Sequence, residues 1–215
     1  MANKARHGLL LASLLFKFAM ADDIISQNYA DLVEMPKADA KQKDKAFTDM
    51  EIKKITEFAK IDEWANTILI LIYTGLRINE LLTLTKFNVD LKHMTITGGS
   101  KTEAGKDRII PIHPIIQPYI KYWYEKEGTH LIQRNGKPIS YNYYSKYLYY
   151  PVLEKLKIRK LSPHATRHTF ASLLDRANAN PKAAQALLGH ANYETTANIY
   201  VHKDINDLKK AIESI

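Results

Sequence analysis

The apolar pattern of the first 46 residues predicts one helix followed by a linker. Apolar residues recur at helical spacing between positions 11 and 18, which indicates an amphipathic helix over about 3–21. Lys17 interrupts the run and disfavours a secretory signal, which would need an uncharged stretch there. The stretch 34–45 mixes Lys, Asp and Ala around a proline, as solvated linkers do. We therefore expect residues 1–46 to be the terminal helix and linker of a truncated preceding domain.

From residue 47 onward the pattern predicts a separate, mainly helical domain. Thr48 followed by Glu51 forms a capping box, and Phe47 with Ile52 fits a hydrophobic staple, so a helix begins here. Ser162 and Asn180, each followed by proline, are expected to cap two later helices. The helices that we predict cover residues 49–60, 63–74, 78–84, 114–127, 141–157, 163–177, 181–188, 193–200 and 204–214.

One small sheet completes the predicted fold. Residues 94–97 and 108–112 are rich in β-branched side chains and flank a turn that contains Gly and Lys, which is typical of a hairpin. The fold class is therefore mainly α (α+β), with a small antiparallel β-sheet. Six tyrosines lie in 141–150, and we expect two or three of them to pack inward.

Composition limits the possible function. The chain has 215 residues, 46% of them hydrophobic, and none of its apolar runs approaches the roughly 18–20 residues of a membrane span. The absence of cysteine excludes a disulfide scaffold, a Cys nucleophile and a thiolate metal site, and favours a reducing, cytoplasmic setting. We expect no membrane association.

The charge of the chain favours a polyanionic partner. Lys and Arg number 31 against 23 Asp and Glu, which gives a net charge of +8. Residues 146–182 hold eight Lys and Arg and two Asp and Glu, so +6 of that charge lies there. A charged segment alone is most often a solvated face. The histidines within this one change that interpretation.

The segment SPHATRHTFAS, residues 162–172, combines groups that suit a phosphate. His164 and Arg167 are three apart, on one face of the first turns of a helix, where free N–H groups favour anions. The Arg fork can bind two phosphate oxygens, and a neutral imidazole can accept a proton. His164 and His168 also have the spacing of metal ligands, but Arg167 between them would repel a dication, so we predict no metal site.

Four more segments carry similar groups in a fixed order. Arg77 lies in TGLRINEL with Glu80 one turn later, and Lys101 lies in SKTEAGKDRIIPI. His190 ends LLGH, and Tyr200 lies in TTANIYVH. Each residue alone has an ordinary structural interpretation: a surface arginine, a hairpin lysine, a residue that follows a helix, a packed tyrosine.

Together with SPHATRHTFAS, these motifs make residues 47–215 resemble the catalytic domain of the tyrosine recombinases, the phage-type integrases of mobile elements. The resemblance implies a helical catalytic domain with a small antiparallel sheet that carries Lys101. It also implies that helix 3–21 is the last helix of a core-binding domain. The implied partner is double-stranded DNA at recombination sites, and the implied location is the nucleoid while DNA is bound.

The resemblance assigns a role to each site residue. Tyr200 is the nucleophile that forms a 3′-phosphotyrosyl link, and Lys101 protonates the leaving 5′-oxygen. Arg77 and Arg167 clamp the phosphate, so that Arg77, Arg167 and Lys101 are also the DNA-binding residues. The remaining roles are His164 as the base, His190 as a hydrogen-bond donor and Glu80 as a support for Arg77.

No cofactor is implied, because the covalent link retains the bond energy. The tail has Ile205, Leu208 and Ile212 at helical spacing, which predicts an amphipathic helix. The resemblance implies that this helix docks into a neighbouring protomer, while docking onto its own domain stays an alternative. Two other functions remain open at this point: a topoisomerase of the type IB kind with the same residues, and a DNA-binding accessory protein without turnover.

Overall fold

The computed structural model describes residues 2–33, 45–98, 107–189 and 205–215. The chain divides into two compact units, residues 1–43 and 44–215. No helix in the described part of the chain has the length and apolar character needed to cross a bilayer.

The first unit consists of one long helix and a short turn. Helix α1 spans Ala2–Ala21, as predicted, and a 3₁₀ turn spans Tyr29–Leu32. Asn28 caps this turn and donates a side-chain hydrogen bond to Ser13 Oγ at 2.8 Å. Apolar side chains of α1 remain exposed, and they include Leu10, Leu11, Leu14, Leu15 and Phe18.

The second unit is mainly helical. Its α-helices are α2 (Asp49–Phe58), α3 (Glu63–Thr74), α4 (Ile78–Thr83), α5 (Gln117–Glu125), α6 (Tyr141–Tyr143), α7 (Tyr150–Lys155), α8 (His164–Arg176), α9 (Pro181–Leu188) and α10 (Ile205–Glu213). A π-helical segment, Tyr144–Tyr149, joins α6 to α7, and 3₁₀ turns lie at Lys86–Asn88 and Pro114–Ile116. The predicted mainly helical class is confirmed.

Helix α3 is the centre of the core. Every residue from Ala65 to Thr74 is buried, as expected for a helix that is apolar on all sides and packed on all sides. Helices α2, α5 and α8 pack against it. Its two buried polar residues near the start are satisfied: Asn66 Oδ1 accepts from Trp123 Nε1 at 2.6 Å, and Thr67 Oγ1 lies 2.6 Å from the Tyr144 hydroxyl.

The sheet contains the predicted hairpin and one additional strand. Strands β1 (Val89–Asp90), β2 (Thr95–Gly98) and β3 (Arg108–Pro111) form an antiparallel sheet in that order. A second hairpin, β4 (Gln133–Arg134) with β5 (Lys137–Pro138), was not predicted, because two-residue strands carry no readable alternation.

Residues of α8, α9 and α10 form a second apolar cluster. Helix α10 packs against α9 and β3 of its own chain. Leu208 and Ile212 of the predicted stripe are buried there, with Phe170, Leu174 and Leu187. In this structure the tail therefore docks onto its own domain.

Of the three helix caps predicted from local signals, two are confirmed and one is wrong. Thr48 and Glu51 form the capping box, and Asn180 Oδ1 accepts from Lys182 N at 2.9 Å. Ser162 was wrongly expected to cap α8: the helix begins at His164 with no side-chain cap. The Ser162 backbone carbonyl instead accepts hydrogen bonds from the Ala165 N–H and, at 3.3 Å, from the Tyr149 hydroxyl.

Two predicted helices also differ from the structure. The segment 114–127 is divided into a 3₁₀ turn and α5, because His113 caps the turn through Nδ1 and Pro114 begins it. The segment 141–157 is interrupted by the π-helical turn, which buries Tyr144 and Tyr149 as two inward-facing tyrosines. The predicted helix 193–200 lies outside the described residues.

Candidate active site

Three of the predicted catalytic residues line one cleft of about 280 Å³. Arg77 reaches it from the turn between α3 and α4, and His164 and Arg167 reach it from the first turns of α8. Glu80 on α4 and the exposed Tyr141 also line it. The cleft thus brings together residues that are 90 positions apart in the sequence.

Arg77 is held by Glu80 and keeps a partly exposed side chain. Glu80 Oε2 accepts from the Arg77 backbone N–H, and Glu80 Oε1 accepts from Arg77 Nη1, both at 2.9 Å. The Glu80 side chain is 3% exposed and that of Arg77 is 31% exposed. The predicted supporting role of Glu80 therefore has a geometric basis.

A second arginine, Arg108, contacts the same carboxylate. Its Nη2 donates to Glu80 Oε2 at 2.8 Å, and its side chain is 5% exposed. Burial tends to raise the pKa of Glu80, but hydrogen bonds from Arg108 and Arg77 outweigh it and hold that pKa below its usual range. Glu80 is consequently ionised at neutral pH.

Arg167 is a buried cation whose described hydrogen-bond partners are backbone carbonyls. Its Nη1 donates to the Gly75 carbonyl at 2.8 Å and its Nη2 donates to the Leu188 carbonyl. Gly75 and Leu188 lie at the C-terminal ends of α3 and α9, where the helix dipole is negative. Burial, with Arg77 and Arg108 nearby, lowers the pKa of Arg167 to about 10, so it stays charged at neutral pH.

Gly75 makes this arrangement possible. It ends α3 in the left-handed region, with φ of 62°. A Cβ at this position would lie 2.2 Å from Phe170 Cδ1, one turn beyond Arg167 on α8. A side chain here would therefore push α8, and Arg167 with it, away from the Gly75 carbonyl.

His164 is exposed and lines the cleft. It lies one helical turn before Arg167, and its ring packs edge-on against that of His168, with 4.8 Å between the ring centroids. Within the described ranges, no group of three His, Asp or Glu is arranged to hold a metal ion.

Lys101, His190 and Tyr200 lie outside the described residues. Lys101 and His190 nevertheless follow described residues closely along the chain. Gly98 pairs with Arg108 where β2 ends and β3 begins, on either side of the Lys101 segment. Leu188, whose carbonyl contacts Arg167, precedes His190 by two residues.

Sequence reasoning gave no role to Arg108, Gly75 or Tyr141. A charged residue at a strand end is usually exposed, so nothing local marked Arg108 as buried. Gly75 could have been recognised as a helix stop after α3, but its contact with Phe170 joins segments 95 residues apart.

Comparison with known proteins identifies the family of the chain. The phage integrase family profile matches residues 45–207. This chain therefore belongs to the phage integrase family, the tyrosine recombinases that break and rejoin DNA strands, and the matched residues lie within its second unit.

Curated relatives are recombinases. Tyrosine recombinase XerD of Staphylococcus saprophyticus is 28% identical over 210 residues, which is 90% of this chain and 70% of the relative. Tyrosine recombinase XerD of Vibrio cholerae is 30% identical over 148 residues, or 64% of this chain and 48% of the relative.

Solved structures share the fold. The Tn1549 transposon integrase in complex with circular intermediate DNA matches with a TM-score of 0.76 and 24% identity, over 99% of this chain and 79% of that one. A lambda integrase dimer bound to a COC′ core site matches with a TM-score of 0.69 and 17% identity, over 95% and 77%.

Proposed function

We propose that this protein is a site-specific recombinase that joins Tyr200 to a DNA 3′-phosphate and then transfers that phosphate to another strand. The observation that carries the proposal is the cleft that holds Arg77, His164 and Arg167 together. Family membership supports strand breakage and rejoining over a binding role without turnover. The recombinases among the curated relatives favour strand exchange over relaxation by a topoisomerase.

In the forward step the Tyr200 oxygen attacks the scissile phosphorus and the bond from phosphorus to the 5′-oxygen breaks. His164 takes the phenolic proton, which is needed because free tyrosine has a pKa of about 10. Lys101 gives a proton to the 5′-oxygen, since an alkoxide leaves poorly. Attack by a 5′-hydroxyl from another strand reverses both transfers, so no nucleotide is consumed.

Two arginines would stabilise the transition state. Negative charge gathers on the non-bridging oxygens as phosphorus becomes five-coordinate, and guanidinium groups placed beforehand stabilise it. Arg77 is partly exposed at the cleft, and Arg167 is fixed by two carbonyls. His190 would donate a further hydrogen bond to the same oxygens.

The test is covalent capture on a nicked-duplex library of random sequence. The nick lets the short 5′-product diffuse away, so the phosphotyrosyl complex accumulates. The parent protein should remain attached to DNA in a denaturing gel, and sequencing of the attached DNA should give one consensus site.

Tyr200→Phe is the matched variant. It keeps the aromatic ring but removes the nucleophilic oxygen, so it should bind DNA like the parent and form no covalent complex. Attachment of labelled DNA to the phenylalanine variant would show that another residue is the nucleophile. A parent protein that binds but never attaches would instead support an accessory role.

We further propose that protomers associate on nucleoid DNA through α10. Strand exchange needs at least two active sites, and α10 is an amphipathic helix joined to α9 through residues 189–204. Its apolar face packs on its own domain in this structure, and the same groove on a neighbour could receive it. Sedimentation of the protein with and without the captured duplex would measure the association.

A further inference from the structure

Arg108 lies between two parts of the site without lining the cleft. It is the first residue of β3 and pairs with Gly98 at the end of β2, at the base of the hairpin that carries Lys101 in sequence. Its side chain is buried against Glu80, and it is not among the described residues that line the cleft. We therefore do not expect Arg108 to contact a phosphate bound in the cleft.

Glu80 is shared by two arginines. Its Oε1 accepts from Arg77 Nη1 at 2.9 Å and from Arg108 Nη1 at 3.4 Å. Its Oε2 accepts from the Arg77 backbone N–H at 2.9 Å and from Arg108 Nη2 at 2.8 Å. Two parallel bonds from a planar guanidinium fix the plane of a carboxylate. The plane of Glu80 in turn fixes the direction of Arg77.

The charges of Arg77, Glu80 and Arg108 also connect Arg108 to Arg77. Within the group formed by Arg77, Glu80 and Arg108, one carboxylate lies between two guanidinium groups, so positive charge exceeds negative by one. Without Arg108, Glu80 would be neutralised by Arg77 alone, and Arg77 would bind a phosphate less strongly because its charge would already be compensated. Arg108 thus compensates the charge of Glu80 from the buried side while Arg77 faces the cleft.

We infer that Arg108 is a positioning residue for strand cleavage, which acts through Glu80 to orient Arg77 and to keep its charge available for the scissile phosphate. This inference rests on the proposed function. It predicts a defect that depends on the charge of the phosphate, which a merely structural role would not produce.

The experiment measures single-turnover cleavage by the parent, Arg108→Met and Lys126→Met. Lys126→Met is the control, because it also removes one positive charge and an ion pair, that with Glu63 outside the cleft. The substrate is the captured nicked duplex in three forms. One has the ordinary phosphate, one has a methylphosphonate that lacks a charged non-bridging oxygen, and one has sulfur as the 5′-leaving atom.

Arg108→Met should cleave the ordinary duplex about 10- to 100-fold more slowly than the parent, which is less than the roughly 10²- to 10³-fold loss of a direct transition-state contact, because Arg108 acts through Glu80. On the methylphosphonate its rate should come within about threefold of the parent, because the transition state then carries one negative charge fewer for Arg77 to stabilise. The 5′-thio duplex should not restore the rate, since the non-bridging oxygens are unchanged. Lys126→Met should match the parent on all three substrates.

Equal defects of Arg108→Met on all three substrates would overturn the inference and leave only a structural role. Recovery on the 5′-thio duplex alone would also overturn it, because Arg108 would then act through the Lys101 hairpin. If the methionine variant does not fold, Arg108→Lys is used instead, because lysine keeps the positive charge but cannot make two parallel bonds to Glu80. Its cleavage rates on the same three substrates are then compared with those of the parent. If the parent does not cleave the methylphosphonate, Arg77→Ala is compared with and without Arg108→Met. A further loss in the double variant would refute action through Arg77.

Failure of the proposed function gives a different result. In that case neither the parent nor Lys126→Met forms a covalent complex with the ordinary duplex, and both conclusions fall together. A parent that cleaves normally confines any contrary result to the role of Arg108.

Discussion

Arg167 is kept charged by backbone groups, and this depends on one residue without a side chain. Gly75 ends α3 in a left-handed conformation and directs its carbonyl to the guanidinium. Phe170 occupies the space that a Cβ on Gly75 would need. Gly75 therefore influences the geometry of the cleft through its backbone carbonyl and without a side chain of its own.

We expect Gly75→Ala to destabilise the protein by more than the cost of its backbone conformation. A left-handed alanine costs about 1–2 kcal/mol, and overlap with Phe170 adds about 1–3 kcal/mol. Gly136→Ala is the control, since Gly136 has φ of 74° but a Cβ there would have no neighbour closer than 4.0 Å. Urea unfolding measures both losses. Equal losses in the two variants would show that the overlap with Phe170 is relieved without cost.

At the scale of elements, contacts between residues close in sequence could be predicted, whereas contacts between distant residues could not. The capping box at Thr48 involves residues three apart, and sequence reasoning identified it. The contacts that build the cleft join Arg108 to Glu80 across 28 positions and Arg167 to Gly75 across 92. Such pairs leave no periodic signal. The motifs thus predicted that Arg77, His164 and Arg167 lie together, while the reason for their orientation required the structure.

Helix α10 shows the same limit, because its amphipathic pattern does not reveal which domain it covers. Ile212 is 1% exposed and packs in the cluster of Phe170 and Leu187. If this contact forms within one chain in solution, Ile212→Ala should cost about 2–4 kcal/mol. The melting temperature of the DNA-free parent protein should also be the same at different protein concentrations.

The control for Ile212→Ala is Ile61→Ala, because Ile61 is 82% exposed and its truncation should change stability by less than about 0.5 kcal/mol. Thermal unfolding over a hundredfold range of concentration gives the result. A melting temperature that rises with concentration in the DNA-free protein would mean that α10 docks between protomers.

At the scale of the whole molecule, the site contributes to acid sensitivity. The pKa of Glu80 is lowered in the folded protein, so the unfolded chain binds its proton first as the pH falls. The stabilisation is complete above the ordinary glutamate pKa of about 4.3 and is lost as the pH falls through the lowered value. Other carboxylates with lowered pKa, among them Glu51 and Asp90, contribute in the same direction.

We therefore expect Glu80→Gln to reduce the dependence of unfolding free energy on pH below about pH 4.3, where one such group contributes at most about 1.4 kcal/mol per pH unit. Urea unfolding between pH 3 and pH 7 measures the slope for parent and variant. Glu57→Gln is the control, since Glu57 is an exposed partner of Lys60 and such pairs contribute little. Identical slopes for the parent and Glu80→Gln would show that the arginines do not hold the Glu80 carboxylate ionised.

The two helix ends that meet at Arg167 also constrain how this enzyme can evolve. Carbonyl dipoles solvate a guanidinium without cancelling its charge, whereas a carboxylate beside it would form a neutral pair. A substitution that placed an acid next to Arg167 would therefore remove the charge that the proposed phosphate contact needs. The carbonyls of Gly75 and Leu188 thus hold a buried cation without neutralising it.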